Sequence, residues 1–359
     1  MITVPVRVPG AAYDVVIGVG LLGRTGEVLP PFPGAERAFV VASQPVAERF
    51  LGTLEASLDL PAVHLAVPDG EEAKTLRTAE ALWEHLATQG AHRSDPVMAL
   101  GGGSTGDVAG FVAATYMRGV PFVHLPTTLT AQVDAAIGGK VGVNLPRGKN
   151  LVGAFHQPAA VLADVSTLAA LPEEEFRSGL GEVAKYGLAV DPGVLDVLER
   201  RHGAVLARDP GALADLVAAC VRAKASVVEA DERDTGARAV LNYGHTLAHA
   251  LERLEGYGRV SHGEAVAMGM AFAARLSVTL GIGSEDLPAR HRRVLASLGL
   301  PQSFPELDPE EVLEAMRLDK KYRRGLRFVL LEDVGRPRVV DVRPEAIREV
   351  LSEALGGVA

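Results

Sequence analysis

Cysteine is nearly missing from this chain: Cys220 is the one thiol in 359 residues. It cannot close an internal disulfide, and its solitude excludes a zinc site built on cysteines. A surplus of positive charge is missing as well. The chain has 36 basic residues against 45 acidic ones, a formal net charge of −9, whereas a nucleic-acid binder needs a basic surface. No stretch approaches the roughly 18 consecutive apolar residues that cross a bilayer. The opening MITVPVRVPG has no apolar core behind a basic start, so no export is expected and the cytoplasm is the expected location. What is present is a globular balance, 48% hydrophobic and 23% charged, which excludes disorder. At about 100–200 residues per domain, the length suits two domains.

Apolar runs and helical stretches alternate in the first half. Strands are expected at 13–19, 37–42, 62–67, 96–100, 121–125 and 159–164, with helices such as 45–57 and 71–89 between them. That alternation predicts an α/β fold with a mostly parallel sheet, covered on both faces and binding ligands at the carboxyl ends of its strands. After Pro172 the period turns helical, at 194–207, 211–230, 242–255 and 263–280. Then 326–331 and 337–342 read as a hairpin, followed by a helix over 344–354. The expected division is an α/β domain over 1–170 and a mainly helical domain over 171–359.

The strand at 96–100 runs into Gly101-Gly102-Gly103-Ser104-Thr105-Gly106-Asp107, where a helix begins. Glycines let a phosphate approach the backbone, and a helix N-terminus offers it unpaired N–H groups. The string fits G-x-G-x-x-G, yet it follows the fourth strand, and no carboxylate stands about 20 residues on as in the standard dinucleotide fold. The expectation is a pyrophosphate site in a Rossmann-like but non-standard domain, against the plainer reading of a tight turn without ligand. Asp69, Gly70, Glu71, Glu72, Ala73 and Lys74 after one strand, and Thr127-Thr128 after another, would share that edge.

Metal-binding side chains gather in the second half. His245 and His249 lie four apart on one helical face. His262 and Glu264 open the next helix, and Glu182 stands three before Lys185. A catalytic zinc takes about three protein ligands, and spacing does not choose among Glu182, His245, His249, His262 and Glu264. Cations also recur at loops and helix ends: Arg118, Lys140, Lys149, Lys185, Lys224, Arg238, Lys320 and Lys321. In an acidic protein that distribution points to an anionic substrate.

The strings GGGSTGD, TYMRG, LPTTLTAQVDAAIGGKVGVN, GKNLVGAFHQP, GLGEVAKYG, LNYGHTLAHA and HGEAVAMGM, in this order, resemble 3-dehydroquinate synthase over nearly the whole chain. The resemblance implies a homodimeric lyase of the shikimate pathway. Such an enzyme converts 3-deoxy-D-arabino-heptulosonate 7-phosphate to 3-dehydroquinate and phosphate, using catalytic NAD+ and zinc or cobalt. The steps implied are oxidation, phosphate elimination, reduction, ring opening and an internal aldol closure. Carried over by position, the metal ligands are Glu182, His245 and His262. The NAD+ contacts are Asp69 to Lys74, Gly103, Ser104, Thr105, Gly106, Asp107, Thr127, Thr128, Lys140, Lys149, and the stretch Thr167, Leu168, Ala169 and Ala170. Substrate contacts are Asp134, Lys140, Asn150, Lys185, Lys224, Arg238, Asn242, His249 and Lys320, with Lys321 as the alternative to Lys320. Arg118 would serve the neighbouring subunit. Asp234 departs from the pattern, which has glutamate there. The main alternative is a metal-dependent polyol dehydrogenase of the glycerol dehydrogenase type, whose uncharged substrate does not need the anion-binding set.

Overall fold

The computed structural model describes residues 1–256, 260–302, 304–305, 307–317 and 326–355. They form two compact units, Met1–Leu171 with Ala207–Arg233, and Pro172–Leu206 with Asp234–Ala359.

The first unit begins with β1 (Ile2–Val8), β2 (Ala11–Gly18), the short helix α1 (Thr25–Val28), β3 (Ala38–Ser43), α2 (Gln44–Glu55) and β4 (Ala62–Val67). It continues through α3 (Leu76–Thr88), β5 (Val97–Gly101), α4 (Gly103–Thr115), β6 (Phe122–Pro126), β7 (Lys140–Leu145), β8 (Gly148–Phe155) and β9 (Ala160–Asp164). Seven strands form one sheet in the order β1-β2-β9-β6-β5-β3-β4, parallel except for the β1–β2 pair. All six expected strands are in it. The strands β3, β5, β6 and β9 are buried at every position, as a sheet covered on both faces requires. Alternate residues of β3 show the two layers: Phe39 and Val41 pack with α3 and α4, while Ala38, Val40 and Ala42 pack with α2.

Two features were not expected. The strand β1 alternates buried Val4, Val6 and Val8 with exposed Thr3, Pro5 and Arg7, and it takes the end of the sheet, where a proline is tolerated. The second is the antiparallel hairpin β7–β8, which carries Lys140, Lys149 and Asn150.

Strand order explains the position of the glycine turn. From β3 the chain moves outward to β4, then returns to lay β5 on the other side of β3. The order of the parallel strands therefore reverses between β3 and β5, and ligands of open α/β sheets bind beyond the carboxyl ends at such a reversal. A fingerprint on the fourth expected strand is thus where the topology wants it.

Beyond Leu171 come α5 (Glu173–Lys185) and α6 (Gly193–Leu206) of the second unit, then α7 (Pro210–Ala230), then α8 (His245–Leu254), α9 (His262–Thr279), α10 (Leu287–Ser297) and α11 (Pro309–Arg317). The hairpin β10 (Leu326–Asp333) with β11 (Arg336–Val342) and α12 (Pro344–Leu355) follow. Where the sequence pattern assigned everything past 170 to the helical domain, the structure groups 207–233 with the sheet. The reason is packing: α7 lies against β1 and β2 and buries Leu213, Leu216, Val217, Val221 and Val228. Among the described residues, no helix is long and apolar enough to cross a membrane.

Candidate active site

In the first unit, loops from the carboxyl ends of β4, β5 and β6 carry the expected dinucleotide residues. The helix expected over 71–89 is two pieces. A 3-10 turn, Gly70–Ala73, is followed by α3, whose start is capped by Thr75 Oγ1 accepting from the Thr78 N–H at 3.0 Å. This break leaves Asp69, Gly70, Glu71 and Glu72 exposed in a turn, with Ala73 and Lys74 buried. Lys74 Nζ lies 2.7 Å from Asp107 Oδ2 in the first turns of α4, so the two loops are joined by an ion pair.

The N-cap of α4 is Gly102, and no side chain caps it. A Cβ at Gly102 would stand 3.2 Å from Thr128 Cγ2, and one at Gly103 would stand 3.1 Å from Ala135 Cβ. Glycine thus lets Thr128 and Ala135 pack close to this turn, and the first N–H groups of a 13-residue helix, with no side-chain cap, suit an anion such as a pyrophosphate. The Thr127 N–H donates to the Gly101 carbonyl at 2.9 Å, holding the end of β6 to that of β5. The stretch Thr167–Ala170 lies in the 3-10 helix after β9. Gln132, which sequence reasoning missed, is fully buried and donates from Nε2 to the carbonyls of Pro126 and Asp164, both at 3.0 Å. It fastens the ends of β6 and β9 together.

Asp134 lies on the π-turn Ala131–Ala135, where its carboxylate and backbone carbonyl both accept from Lys224 Nζ of α7. Lys140 begins β7, and Lys149 and Asn150 lie on β8. Arg118 is not brought to this group. It is exposed in the turn between α4 and β6, at the amino ends of the strands, with its backbone in the left-handed region at φ 67°.

In the second unit, Glu182, His245 and His262 each offer a ligand atom, all within 4.8 Å of one another. Glycines account for the convergence. A Cβ at Gly263 would lie 1.9 Å from the Ser178 carbonyl oxygen, and one at Gly269 would lie 1.9 Å from that of Gly244. Helix α9 therefore packs backbone to backbone on α5 and on the start of α8, and each of the three side chains is chain neighbour to a contact glycine: Gly181, Gly244 or Gly263.

The electrostatics suit a cation. Glu182 is fully buried beside Lys185 Nζ. Burial pushes its carboxyl up, but Lys185 and the two imidazoles overcome that and hold it well below the usual carboxylate range. His245 Nδ1 lies 3.1 Å from the Tyr243 carbonyl. A carbonyl only accepts, so Nδ1 carries the hydrogen and Nε2 keeps its lone pair, 3.5 Å from Glu182 Oε1. Burial lowers the His245 pKa despite Glu182, which keeps that ring neutral, as a ligand must be. His262 Nε2 lies 3.0 Å from Glu182 Oε1, and Nδ1 lies 3.4 Å from Glu252 Oε1. Burial opposes the charged form of His262, but the two carboxylates raise its pKa to about 10. A buried carboxylate and a neutral imidazole with its lone pair inward fit a divalent ion of the zinc type, and His262 joins them by exchanging its proton for the bound cation, which takes the proton's place beside Glu182.

His249 is exposed one turn beyond His245, with ring centroids 5.6 Å apart. Arg238 is buried and Asn242 half-buried in the 3-10 helix Ala237–Asn242. Of the metal candidates left open by spacing, Glu264 is spent otherwise: it completes a capping box with Ser261 at the start of α9. Lys320 and Lys321 lie outside the described residues. Glu252 had no signal beyond its position on the His245 face of α8, and it should orient His262. Glu252→Gln is expected to weaken metal binding by about tenfold or more in chelator competition; unchanged affinity would remove it from the site.

Residues 64–178 match the family described as 3-dehydroquinate synthase N-terminal, and residues 179–322 match 3-dehydroquinate synthase C-terminal. The chain belongs to the 3-dehydroquinate synthase family. It is 45% identical over 357 residues to 3-dehydroquinate synthase of Desulforamulus reducens, covering 98% of this chain and 99% of that one. The 3-dehydroquinate synthase of Halorhodospira halophila is 47% identical over 346 residues, with 96% and 97% covered. Among solved structures, 2-deoxy-scyllo-inosose synthase complexed with carbaglucose-6-phosphate, NAD+ and Co2+ superposes with a TM-score of 0.90 at 29% identity, over 99% of this chain and 100% of that one. ValA, the 2-epi-5-epi-valiolone synthase of Streptomyces hygroscopicus with NAD+ and Zn2+ bound, gives 0.87 at 27%, with 98% of each chain covered. A probable glycerol dehydrogenase from Sinorhizobium meliloti shares the fold at a TM-score of 0.67 and 20% identity, with 98% of each chain covered. The protein is thus an enzyme of the 3-dehydroquinate synthase family, a reading these comparisons favour over that of a polyol dehydrogenase.

Proposed function

We propose that the chain performs its family's reaction, converting 3-deoxy-D-arabino-heptulosonate 7-phosphate to 3-dehydroquinate and phosphate. NAD+ is assigned to Asp69–Lys74, Gly103–Asp107, Thr127, Thr128, Lys140, Lys149 and Thr167–Ala170 in the first unit. Zinc or cobalt is assigned to Glu182, His245 and His262 in the second. The observation that carries the reading is the convergence of a buried carboxylate with two imidazoles, their ligand atoms within 4.8 Å. When bound, the cation would acidify a substrate hydroxyl and the dinucleotide would take and return a hydride.

The chain's own side chains bind and orient. Lys140, Asn150, Asn242 and His249 are assigned to the substrate phosphate, Lys224 and Arg238 to its carboxylate. Lys224 is held by Asp134 and Lys185 by Glu182, so both cations are fixed before substrate arrives and lose little freedom on binding it. A departing phosphate can take the neighbouring proton on its own oxygen, which leaves orientation as the main task of the protein. Lys320, with Lys321 as alternative, remains a proposed substrate contact. A cytoplasmic homodimer in which Arg118 serves the neighbouring subunit completes the proposal.

The test is incubation with the heptulosonate phosphate, zinc and catalytic NAD+. Phosphate release without lasting absorbance at 340 nm supports the reading, and NADH accumulating with an uncharged polyol defeats it. Arg238→Ala is expected to lower kcat/KM by about a hundredfold or more, as truncating a buried ionic contact does. NAD+ affinity should stay within about twofold of wild type by titration, since the residue is assigned to substrate. Equal losses in both would remove Arg238 from the carboxylate.

A further inference from the structure

A chain of hydrogen bonds in the first unit centres on Glu71 and joins three loops. Glu71 Oε2 accepts from Ser104 Oγ at 3.0 Å, in the first turn of α4. Its Oε1 accepts from Asn144 Nδ2 at 2.7 Å. Asn144, near the end of β7, accepts at Oδ1 from the Asn150 N–H at 2.8 Å, and its own N–H donates to the Lys74 carbonyl at 2.8 Å. Asn150 has its backbone in the left-handed region, at φ 54°, a conformation that persists only where the surroundings hold it.

A carboxylate can only accept. Glu71 therefore fixes which end of the Asn144 amide faces it, and the other end is aimed at Asn150. The amide gives with one atom and takes with the other, so neither aspartate nor a hydrocarbon can replace it.

We propose that Asn144 is a positioning residue that ties the turn after β4 to Asn150, so that ordering of the turn by a dinucleotide prepares the hairpin to receive a phosphate. The proposal rests on the assignment of 69–74 to NAD+ and of Asn150 to the substrate phosphate.

Holoenzyme variants test it through KM for the sugar phosphate, kcat, and NAD+ affinity by titration. Asn144→Asp keeps the acceptor toward Asn150 but sets a second carboxylate against Glu71. It is expected to raise KM about tenfold and to weaken NAD+ binding, with a smaller loss in kcat. In the double variant Glu71→Gln/Asn144→Asp, the amide stands on the turn and the carboxylate on the hairpin, so a donor again meets an acceptor. Its KM should lie closer to wild type than that of Asn144→Asp alone. A KM in the double variant no closer to wild type than that of Asn144→Asp, or an unchanged KM and NAD+ affinity in Asn144→Asp, overturns the tie. Asn150→Ala separates the two levels. A raised KM there beside an unaffected Asn144→Asp sinks the tie alone, whereas an unchanged KM in Asn150→Ala sinks the phosphate assignment and the tie with it.

Discussion

Glu182→Ala is expected to leave the protein without stoichiometric metal and to lower kcat by about a thousandfold or more, since a Lewis acid in such a site supplies several kcal/mol. Two effects add. The carboxylate is the one anionic donor of the proposed ligand set, and it is an ion-pair partner of Lys185, whose side chain is 1% exposed. Removing it takes the Glu182 charge away from a buried ammonium, and breaking a buried pair in this way costs about 3–5 kcal/mol in comparable cases. Glu182→Gln keeps the volume and tests the charge alone. Metal analysis after gel filtration, with an unfolding curve for each variant, separates lost ligation from lost fold. Full metal occupancy in a folded Glu182→Ala protein would overturn the ligand assignment.

The second large effect is on stability, at a position that touches no ligand. Gly263→Ala would place a methyl group 1.9 Å from the Ser178 carbonyl oxygen, and Gly269→Ala would do the same at Gly244. Neither contact can be relieved by turning a side chain, because the neighbour is backbone. Each substitution should cost about 3 kcal/mol or more, seen as a lower urea midpoint at unchanged slope in the metal-free protein. Gly203, inside α6, has no atom within 4 Å of where its Cβ would be. Gly203→Ala should therefore stabilise, by about 0.5–1 kcal/mol, through helix propensity alone. A loss at Gly263 no larger than an ordinary surface change would disprove the backbone-to-backbone packing of α5 and α9.

The sheet was legible because its strands are continuous apolar runs, such as 38–43, buried on both faces. The strand β1 was harder: its alternation spans only seven residues and includes Pro5, which argues against a central strand. The hairpin β7–β8 was hidden by Gly142, Gly148 and Gly153, which dilute a strand signal. Helix α7 was seen as a helix but not as part of the sheet unit, since periodicity tells which face is buried and not what buries it.

The proposed metal ligands show a different limit. Their spacing gave five candidates, and resemblance narrowed them to three. A local sign was nonetheless present, because Gly181-Glu182, Gly244-His245 and His262-Gly263 each pair a ligand type with the residue that allows two helices to touch. His249 and Glu264 have no such neighbour on the chain except Gly263 before Glu264, and that carboxylate caps its own helix. Asn144 and Glu252 escaped because each acts on another residue, a relation that no linear pattern displays.

The route of the chain between the units has a practical corollary. It changes unit three times, at 171/172, 206/207 and 233/234, so no single cut releases either half intact. A gene fragment ending at 171 would make the sheet without α7, baring the apolar surface of β1 and β2 and stripping Asp134 of Lys224. Recombination between relatives would have to respect three breakpoints at once, which favours inheritance of the whole polypeptide over the shuffling of interchangeable cassettes.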